Sequence, residues 1–331
     1  MCEKMFSLYA ILLGFGLDLI IGDPHGLYHP VRAIGLCITK LENIIIKILK
    51  IDRSQKERNE MKEIWGGLLL FLCVCLISVG TSVALLMIAD RISIYVKFIV
   101  ETIICYQLVA TKALKKESLK VMTSLQEQDI EKARYNLSMI VGRDTKNLNQ
   151  ENIIKAAVET VAENTSDGVI APLLFLFLGG VPMGVLYKAI NTMDSMIGYK
   201  NEKYIYLGRA AAIADDIVNF IPARLSALLM IAASLFGGFD MKNAWKIFKR
   251  DRFNHASPNS AQTEAVMAGA LNIQLAGAAY YFGVLHQKPN IGDKNRQIEI
   301  LDIKRANKLL YLTAFFVVII LGVGKYLVKM L

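Results

Sequence analysis

Three acidic residues recur at steps of four in one segment of the chain, at Glu159, Glu163 and Asp167. A helix through this segment would stack the three carboxylates on one face, where like charges repel unless a cation, a proton or a basic partner compensates them. An apolar run, residues 169–178, follows at once. Because ionisable groups in such surroundings are costly to keep and are usually functional, the pattern predicts a binding or catalytic site.

A second polar set occupies residues 187–200. A helix here would place Asn191, Asp194 and Ser195 on one face, with Lys188 one turn earlier. Carboxylate and amide oxygens suit a hard cation such as Mg²⁺, and a lysine suits phosphate as a point charge. A helix cap with solvated neighbours would use the same residue types, so both interpretations stay open at this point.

A third set consists of Asp215, Asp216 and Asn219, which enter an apolar run that also contains Arg224. Adjacent acids in such surroundings need compensation, which Arg224 or a metal ion would supply. The residue types therefore repeat the cation-binding pattern of the second set.

A polar turn at residues 249–260 leads into a helix of small residues that we predict at 264–277. The free backbone N–H groups at the start of that helix, beside Arg250 and Arg252, predict a site for an anion. His255 titrates near neutrality and is able to move a proton, although a histidine in a polar loop is more often idle.

The first helix ends near Asp23, His25, His29 and Arg32, among prolines that stop helices and make a rigid turn. We expect these four side chains to converge at the membrane surface. The alternative is a polar helix terminus whose charged side chains extend into water.

The composition indicates the class of protein. The chain has 331 residues, of which 54% are hydrophobic, and its net charge is +9. This is too apolar for an ordinary soluble enzyme and too charged for a channel embedded wholly in lipid. We therefore predict an all-α polytopic membrane protein, a single domain over residues 1–331 embedded in the lipid bilayer. No clustered basic and aromatic module is present, which argues against nucleic-acid binding.

Six apolar runs are candidates for crossing a bilayer. They are residues 5–22, 64–89, 92–110, 169–186, 217–237 and 306–327. The fourth run is interrupted by Gly179-Gly180-Val181-Pro182 and the fifth by Pro222 with Arg224. Such interruptions predict broken or re-entrant helices, which are tolerated where they are covered by protein or line a watery cavity.

Lysine and arginine residues concentrate in three connecting segments, at about 23–63, 112–167 and 238–305. The positive-inside rule puts all three segments on the cytoplasmic side. We therefore predict an integral protein of the prokaryotic cytoplasmic membrane, with helical cytoplasmic loops and a site that faces the cytosol.

Taken together, these segments resemble the adenosylcobinamide-phosphate synthase family of cobalamin biosynthesis, the CobD/CbiB family. The motifs that carry the resemblance are Gly22-Asp23-Pro24 with His29-Pro30-Val31, Glu163-Asn164 with Asp167-Gly168 and Ala171-Pro172-Leu173, residues 189–200, Asp215-Asp216 with Asn219 and residues 221–225, and His255 with residues 257–260, Glu264-Ala265 and residues 267–271. They occur in order over nearly the whole chain, and this makes the set specific although each motif alone is weak.

The resemblance implies amide-bond formation. The propionate carboxylate of adenosylcobyric acid would be joined to the amine of (R)-1-amino-2-propanol phosphate, or of aminopropanol itself. ATP and Mg²⁺ are the implied activators, because a carboxylate is a poor acyl donor until its oxygen becomes a leaving group. The corrinoid and aminopropanol phosphate are the implied partners, and a complex with other cobalamin-pathway enzymes is a further implication.

Roles for individual residues combine the resemblance with the residue types. The predicted catalytic residues are His255, His29, Glu163 and Asp167. The predicted substrate- and phosphate-binding residues are Lys188, Lys200, Arg224, Arg250, Arg252, Asn164, Asn259 and Ser260. The predicted metal ligands are Asp194, Asp215, Asp216, Asn191 and Asn219.

The chain departs from the family pattern in two places. Ile213-Ala214 stands where the family usually has an arginine before the Asp-Asp pair, and Arg209, one helical turn away, is the candidate replacement. Ala261-Gln262-Thr263 stands where the family usually has a glycine and a proline. Both departures bear on substrate detail and activity and leave the expected fold unchanged.

Two other classes of protein share parts of this pattern. Broken helices and midplane acids also mark secondary transporters, which should show two related halves, and we detect none in the sequence. In a non-catalytic membrane scaffold of the cobalamin pathway, the missing arginine before Asp215 would reflect lost catalysis.

Overall fold

The structure, a computed structural model, describes residues 2–24, 26, 29–51 and 58–330. The helices are α1 Cys2–Ile21, α2 Pro30–Ile48, α3 Glu60–Ile92, α4 Ile94–Leu108, α5 Thr111–Gln126, α6 Ile130–Ser138, α7 Gln150–Asn164, a π-helical segment Thr165–Ile170, α8 Ala171–Ile197, α9 Arg209–Val218, α10 Phe220–Gly237, α11 Met241–Asp251, α12 Ser260–Leu271 and α13 Asp302–Met330. The strands are β1 Leu275–Ala276, β2 Ala279–Tyr281, β3 Val284–His286 and β4 Asn290–Ile291. His25, one of the residues expected in the turn after the first helix, lies outside the described residues.

Within the part of the chain that the structure describes, five helical stretches are long and apolar enough to cross a membrane. They are Glu60–Ile92, Ile94–Gln126, Gln150–Ile197, Phe220–Gly237 and Asp302–Val328. A shorter apolar helix covers Met5–Ile21. Each apolar run predicted from the sequence is largely helical, and the prediction of an all-α polytopic membrane protein is therefore confirmed.

Helix α8 is broken where the sequence predicts a break. Its backbone leaves the helical conformation at Gly179 (φ −134°, ψ 17°) and at Gly180 (φ 67°, ψ −160°). The conformation of Gly180 is accessible to glycine and strained for other residues, and Pro182 has no N–H to continue the helical ladder. The broken helix is confirmed, while re-entry into the membrane remains a prediction.

Two prolines begin helices instead of interrupting them. Pro222 lies in the first turn of α10, which starts at Phe220 and not at residue 217 as predicted. Pro30 likewise lies at the start of α2. The first turn of a helix has N–H groups without intrahelical partners, so a proline costs no hydrogen bond there.

The chain folds as two compact units. Unit 1 comprises Met1–Val109, Pro172–Val218 and Gly322–Leu331, and unit 2 comprises Ala110–Ala171 and Asn219–Leu321. In unit 1, α3 packs against α2, α4 and α9, around a core that includes Ile38, Leu70 and Met193. In unit 2, α12 packs against α7, α10 and α11. Every residue of α12 is buried, so this short helix is the centre of its unit.

Unit 2 also contains short strands that the sequence analysis did not predict. Strand β1 pairs antiparallel with β4, and β2 pairs antiparallel with β3 in a hairpin. The small-residue helix was expected to reach residue 277, but α12 ends at Leu271 because Asn272 adopts the left-handed conformation (φ 56°). Asparagine tolerates this conformation better than most residues and often ends a helix in this way.

Candidate functional site

The candidate site of unit 2 begins on α7, where three stacked acids were predicted. Helix α7 carries Glu159 and Glu163 but ends at Asn164, and the π-helical segment follows. A π turn is wider than an α turn and breaks the 3.6-residue repeat. Asp167 therefore follows Glu163 through a π turn and not through the α turn that the prediction assumed. Single π turns within α-helices are frequent at functional sites.

Glu159 has a basic partner. Arg143 forms an ion pair with it, and the backbone N–H of Ala276 donates to its Oε1 over 2.7 Å. Burial is the largest single effect on Arg143 and lowers its pKa, but Glu159, Tyr281 and Glu264 together more than offset it, so the pKa of Arg143 is raised. Arg143 therefore supplies the compensation that the acidic pair requires.

Glu163 meets the start of α12. Ser260 donates from its Oγ to Oε1 of Glu163 over 2.9 Å. Ser260 is 8% exposed, so water competes little for this hydrogen bond. The contact brings together two of the predicted site residues from distant parts of the sequence.

Glu264 lies one helical turn after Ser260 and is 5% exposed. Burial raises its pKa well above the usual range, and the carboxylates of Glu159 and Glu163 raise it further. The charges of Lys288 and Arg143 act in the opposite direction. Among these three carboxyl groups, Glu264 is therefore the one held towards its protonated, neutral form.

His255 belongs to the same cluster. Burial, together with the charge of Lys288, lowers its pKa, and Glu163 acts in the opposite direction. Its Nδ1 accepts a hydrogen bond from the backbone N–H of Ser257 over 3.0 Å. In a neutral imidazole with Nδ1 as acceptor, the proton resides on Nε2. This geometry leaves Nε2 of His255 as the atom that donates a hydrogen bond, and the catalytic role of His255 stays a prediction.

His29 of unit 1 uses the same local arrangement. It is the N-cap of α2, and its Nδ1 accepts from the backbone N–H of Val31 over 3.2 Å. Its Nε2 lies 3.4 Å from Oδ1 of Asp23. The convergence expected after the first helix therefore holds for Asp23 and His29, and His29 likewise presents Nε2 as its donor atom.

Residues 252–260 are held by Gln262, one of the residues that depart from the family pattern. Its Nε2 donates to the carbonyl oxygens of Arg252 (3.1 Å) and Pro258 (3.2 Å). Because these bonds extend the ordered turn, α12 begins at Ser260, four residues before the predicted start at residue 264. Just before that start, Arg224 donates from Nη1 to Oδ1 of Asn259 over 3.1 Å, which joins two predicted phosphate-binding residues.

The two arginines of the polar turn differ in their surroundings. Arg250 holds both carboxylate oxygens of Asp251 (2.7 and 2.8 Å) and also contacts Asp293 (2.9 Å). Those hydrogen bonds raise its pKa and favour a structural role over phosphate binding. Arg252 instead lies over the rings of Phe248 (5.1 Å) and Phe253 (4.8 Å), and its buried Nε has no hydrogen-bond partner among the described residues.

The polar set of unit 1 lies on α8 and α9. Nδ2 of Asn191 donates to Oδ1 of Asp215 over 3.3 Å, so two predicted metal ligands lie in contact. Asp194 folds over the end of α8, where a Cβ on Gly198 would lie only 1.9 Å from its Oδ1. Glycine at position 198 is thus required for this position of the Asp194 carboxylate.

The other predicted site residues lie in varied surroundings. Lys188 and Asp216 are half-buried, Lys200 is exposed, and Asn219 is fully buried at the start of unit 2. Asn164 turns back on its own helix, with Nδ2 donating to the carbonyl oxygen of Thr160 over 3.0 Å.

Comparison with known proteins decides the family. The family model described as CobD/Cbib protein matches residues 11–310, which include every predicted site residue. The chain belongs to the CobD/CbiB family. The cobalamin biosynthesis protein CobD of Clostridium perfringens is 48% identical to it over 305 residues, covering 92% of this chain and 94% of the relative. The CobD of Desulfotalea psychrophila is 45% identical over 329 residues (94% and 95%), and the CbiB of Salmonella arizonae is 42% identical over 308 residues (92% and 93%). No solved structure matches.

The oxygen donors of this CobD/CbiB protein fit one type of metal site. Among the residues that the structure describes, no three His, Cys, Asp or Glu side chains are grouped as a metal would require. Mg²⁺, however, is usually held by one or two carboxylates together with water and substrate phosphates. Asp215 in contact with Asn191, and the nearby helical acids Asp194 and Asp216, provide oxygens of that kind.

Three residues of the unit 2 cluster were missed as site residues. Arg143 and Lys288 belong to no motif of the sequence. They interact with the acids only because the fold brings separate segments together. Lys288 approaches from the hairpin side, where its Nζ lies 2.8 Å from the hydroxyl of Tyr281. Glu264 had a usable signal in the sequence: it is a lone acid within a helix made of small and apolar residues.

Proposed function

We propose that this chain forms an amide bond between the propionate carboxylate of adenosylcobyric acid and the amine of (R)-1-amino-2-propanol phosphate. Membership of a cobalamin biosynthesis family supports the choice of substrates. The observation that carries the proposal is the buried cluster in which Ser260 donates to Glu163, beside Glu264 and His255. Carboxyl groups held in different protonation states are what a proton-transferring site needs.

The proposed reaction has two steps. The carboxylate first attacks the terminal phosphate of ATP, which gives an acyl phosphate and ADP. The amine nitrogen then attacks the acyl carbon and loses two protons on its way from ammonium to amide. Phosphate leaves with one oxygen of the original carboxylate and takes up one of the two protons, and the other proton passes to a base of the site, so atoms and charge balance.

Glu163 is the proposed acceptor for a proton of the ammonium group. It accepts the hydrogen bond of Ser260, and its carboxylate acts electrostatically on both Glu264 and His255. His255 is proposed to donate from Nε2 to an oxygen of the reacting acyl group, where negative charge develops in the transition state. Glu264, held neutral, avoids a third negative charge near the incoming carboxylate.

Mg²⁺ would supply neutralisation of phosphate charge when bound. In unit 1, Asp194, Asp215 and Asp216, with the amide oxygen of Asn191, are its proposed ligands, and Lys188 and Lys200 are proposed to bind phosphate oxygens. In unit 2, Arg224 and Arg252, together with Asn164 and Asn259, are proposed to bind phosphate oxygens. If Asp194→Asn and Asp216→Asn each left the Mg²⁺ dependence of amide synthesis unchanged, these ligands would be wrong.

The broken helix α8 favours a second candidate function, that of a secondary transporter. Purified protein in detergent separates the two functions. Amide product formed from adenosylcobyric acid, aminopropanol phosphate, ATP and Mg²⁺ with no other protein present selects the enzyme. Parallel reactions with unphosphorylated aminopropanol identify the amine substrate. Uptake of a corrinoid into sealed vesicles without product would select the transporter.

A further inference from the structure

Unit 2 contains a groove whose lining residues, apart from Arg143, have been given no role above. The hairpin groove, as we name it, has a volume of about 720 Å³ and is lined by Arg143, Lys146, Asn147, Asn152, Tyr280 and Gly283, among others. Its size falls within the range of about 300–1,000 Å³ that is usual for pockets that bind small molecules and cofactors.

The walls of the hairpin groove are fixed by hydrogen bonds. The backbone N–H of Asp144 donates to the carbonyl oxygen of Tyr280 over 2.9 Å, and the N–H of Gly283 donates to Oδ2 of Asp144 over 2.7 Å. These two bonds hold the tip of the β2–β3 hairpin against the segment before α7. A groove held in this way is largely preformed, which lowers the entropic cost of binding a ligand.

The lining of the groove suits amide groups and a flat face. The side chains of Lys146, Asn147, Asn152 and Tyr280 make no hydrogen bond to another residue in the described part of the chain. An asparagine both donates and accepts, so it pairs well with a primary amide. A ligand rich in phosphate would meet only one cation beyond the paired Arg143, namely Lys146, and would also face Asp144.

Arg143 connects the groove with the acidic cluster. Its guanidinium lines the groove and uses Nη2 for the ion pair with Glu159. A guanidinium has five N–H donors, so donors remain for a second carboxylate. Glu159 in turn acts on Glu264 within the cluster proposed for catalysis.

We propose that the hairpin groove binds the amide-bearing edge of the corrinoid and directs its one free carboxylate to Arg143. This inference rests on the proposed function for the identity of the substrate. Asn147, Asn152 and Tyr280 contact the corrinoid periphery and touch no reacting atom. They set affinity for the corrinoid and leave affinity for the amine substrate unaffected.

Equilibrium dialysis of cobyric acid against the purified full-length protein tests the inference without turnover. The variant carries Asn152→Ala with Tyr280→Ala, and the control carries Tyr135→Ala, an exposed tyrosine on α6 outside the groove. We expect the Kd for cobyric acid to rise about tenfold in the variant, which is a loss of about 1.4 kcal/mol in binding free energy. The Kd of the control should stay unchanged. Thermal unfolding in detergent verifies that both proteins are folded.

Two further arms make the outcome decisive. A cobyric acid analogue with its free carboxyl converted to a primary amide should bind wild type more weakly than cobyric acid does. The affinity of Arg143→Lys for this analogue should be little lower than that of wild type. An equal Kd for cobyric acid in wild type and double variant overturns the inference, as does weaker binding of ATP with unchanged binding of cobyric acid. If wild type forms the amide and the double variant binds cobyric acid with an unchanged Kd, the role of the hairpin groove is wrong and the proposed function stands. If the double variant binds cobyric acid more weakly but wild type forms no amide, the proposed function is wrong and the groove still binds the corrinoid.

Discussion

Ser260 donates its hydroxyl hydrogen to Glu163 over 2.9 Å, and this contact joins positions that are 97 residues apart in the chain. It connects the last turn of α7 with the first turn of α12. Because α12 is wholly buried, the contact also fixes the depth at which Glu264 lies. The acidic cluster is thus built by the packing of two helices, each of which carries part of it.

Removal of the hydrogen bond between Ser260 and Glu163 should lower the stability of the protein. In Ser260→Ala, Glu163 loses a buried donor, and we expect the free energy of unfolding to fall by about 1–3 kcal/mol. Ser260→Thr keeps the hydroxyl and should lose less. Ser138→Ala is the control, since Ser138 is exposed and bonds only within its own turn. Thermal unfolding in detergent measures all three, and equal stability of Ser260→Ala and Ser138→Ala would contradict the role of the contact.

The buried carboxyl of Glu264 should make stability depend on pH. Its folded pKa is raised, so its contribution to stability is full below the unfolded pKa, near 4.5, and is lost as pH rises through the folded pKa. Glu264→Gln cannot ionise and escapes that loss. The melting temperature of this variant relative to wild type should therefore increase as pH rises from 4.5 upwards. Glu131→Gln, on an 82% exposed side chain, should show no such trend. A difference that stays constant with pH would contradict a raised pKa for Glu264.

Two substitutions separate the two nitrogens of His255. Asparagine at this position retains an acceptor for the N–H of Ser257, and glutamine retains a donor near Nε2. If His255 acts as a donor through Nε2, amide formation should fall by about a hundredfold or more in His255→Asn while its stability remains near that of wild type. His255→Gln should keep more activity. Higher activity in the asparagine variant than in the glutamine variant would contradict the proposed donor.

The ion pair between Arg143 and Glu159 offers a test of charge compensation. Arg143→Met leaves a 5% exposed carboxylate side chain without its basic partner, and we expect a loss of about 3 kcal/mol in the free energy of unfolding. Adding Glu159→Gln to this variant removes the uncompensated charge and should restore most of that loss. Denaturant unfolding of the single and double variants measures the coupling. Additive effects would mean that the two side chains do not interact.

Local pattern was sufficient to predict much of the fold. Length and hydropathy predicted the apolar helices, and Gly179-Gly180 with Pro182 predicted the break in α8, because these residues act on their own backbone. The same local reasoning did not predict the π turn that contains Asp167, since an α repeat was assumed through these residues. It also failed for Asn272, whose left-handed conformation ends α12 at Leu271 and not at the predicted residue 277.

The site was predictable only in part, for a physical reason. Motif residues such as Glu163, Ser260, Asn191 and Asp215 were named, and the structure shows contacts within two pairs of them, Ser260 with Glu163 and Asn191 with Asp215. The partner of Glu159 is Arg143, which lies 16 residues earlier beyond the start of α7 and has no motif around it. Long-range charge compensation depends on which segments meet in the fold, and residue spacing does not encode it. The tautomer of His255 was hidden for a different reason, since it depends on the local turn that brings the N–H of Ser257 to Nδ1.

Amide formation by the purified protein is the most direct test of the central claim. Full-length protein in detergent is incubated with adenosylcobyric acid, aminopropanol phosphate, ATP and Mg²⁺, and the corrinoid product is identified by mass spectrometry. We expect adenosylcobinamide phosphate together with ADP and phosphate in equal amounts, and loss of this product in Glu163→Gln. Folded wild-type protein that binds the corrinoid and yields no amide, or a Glu163→Gln variant as active as wild type, would contradict it.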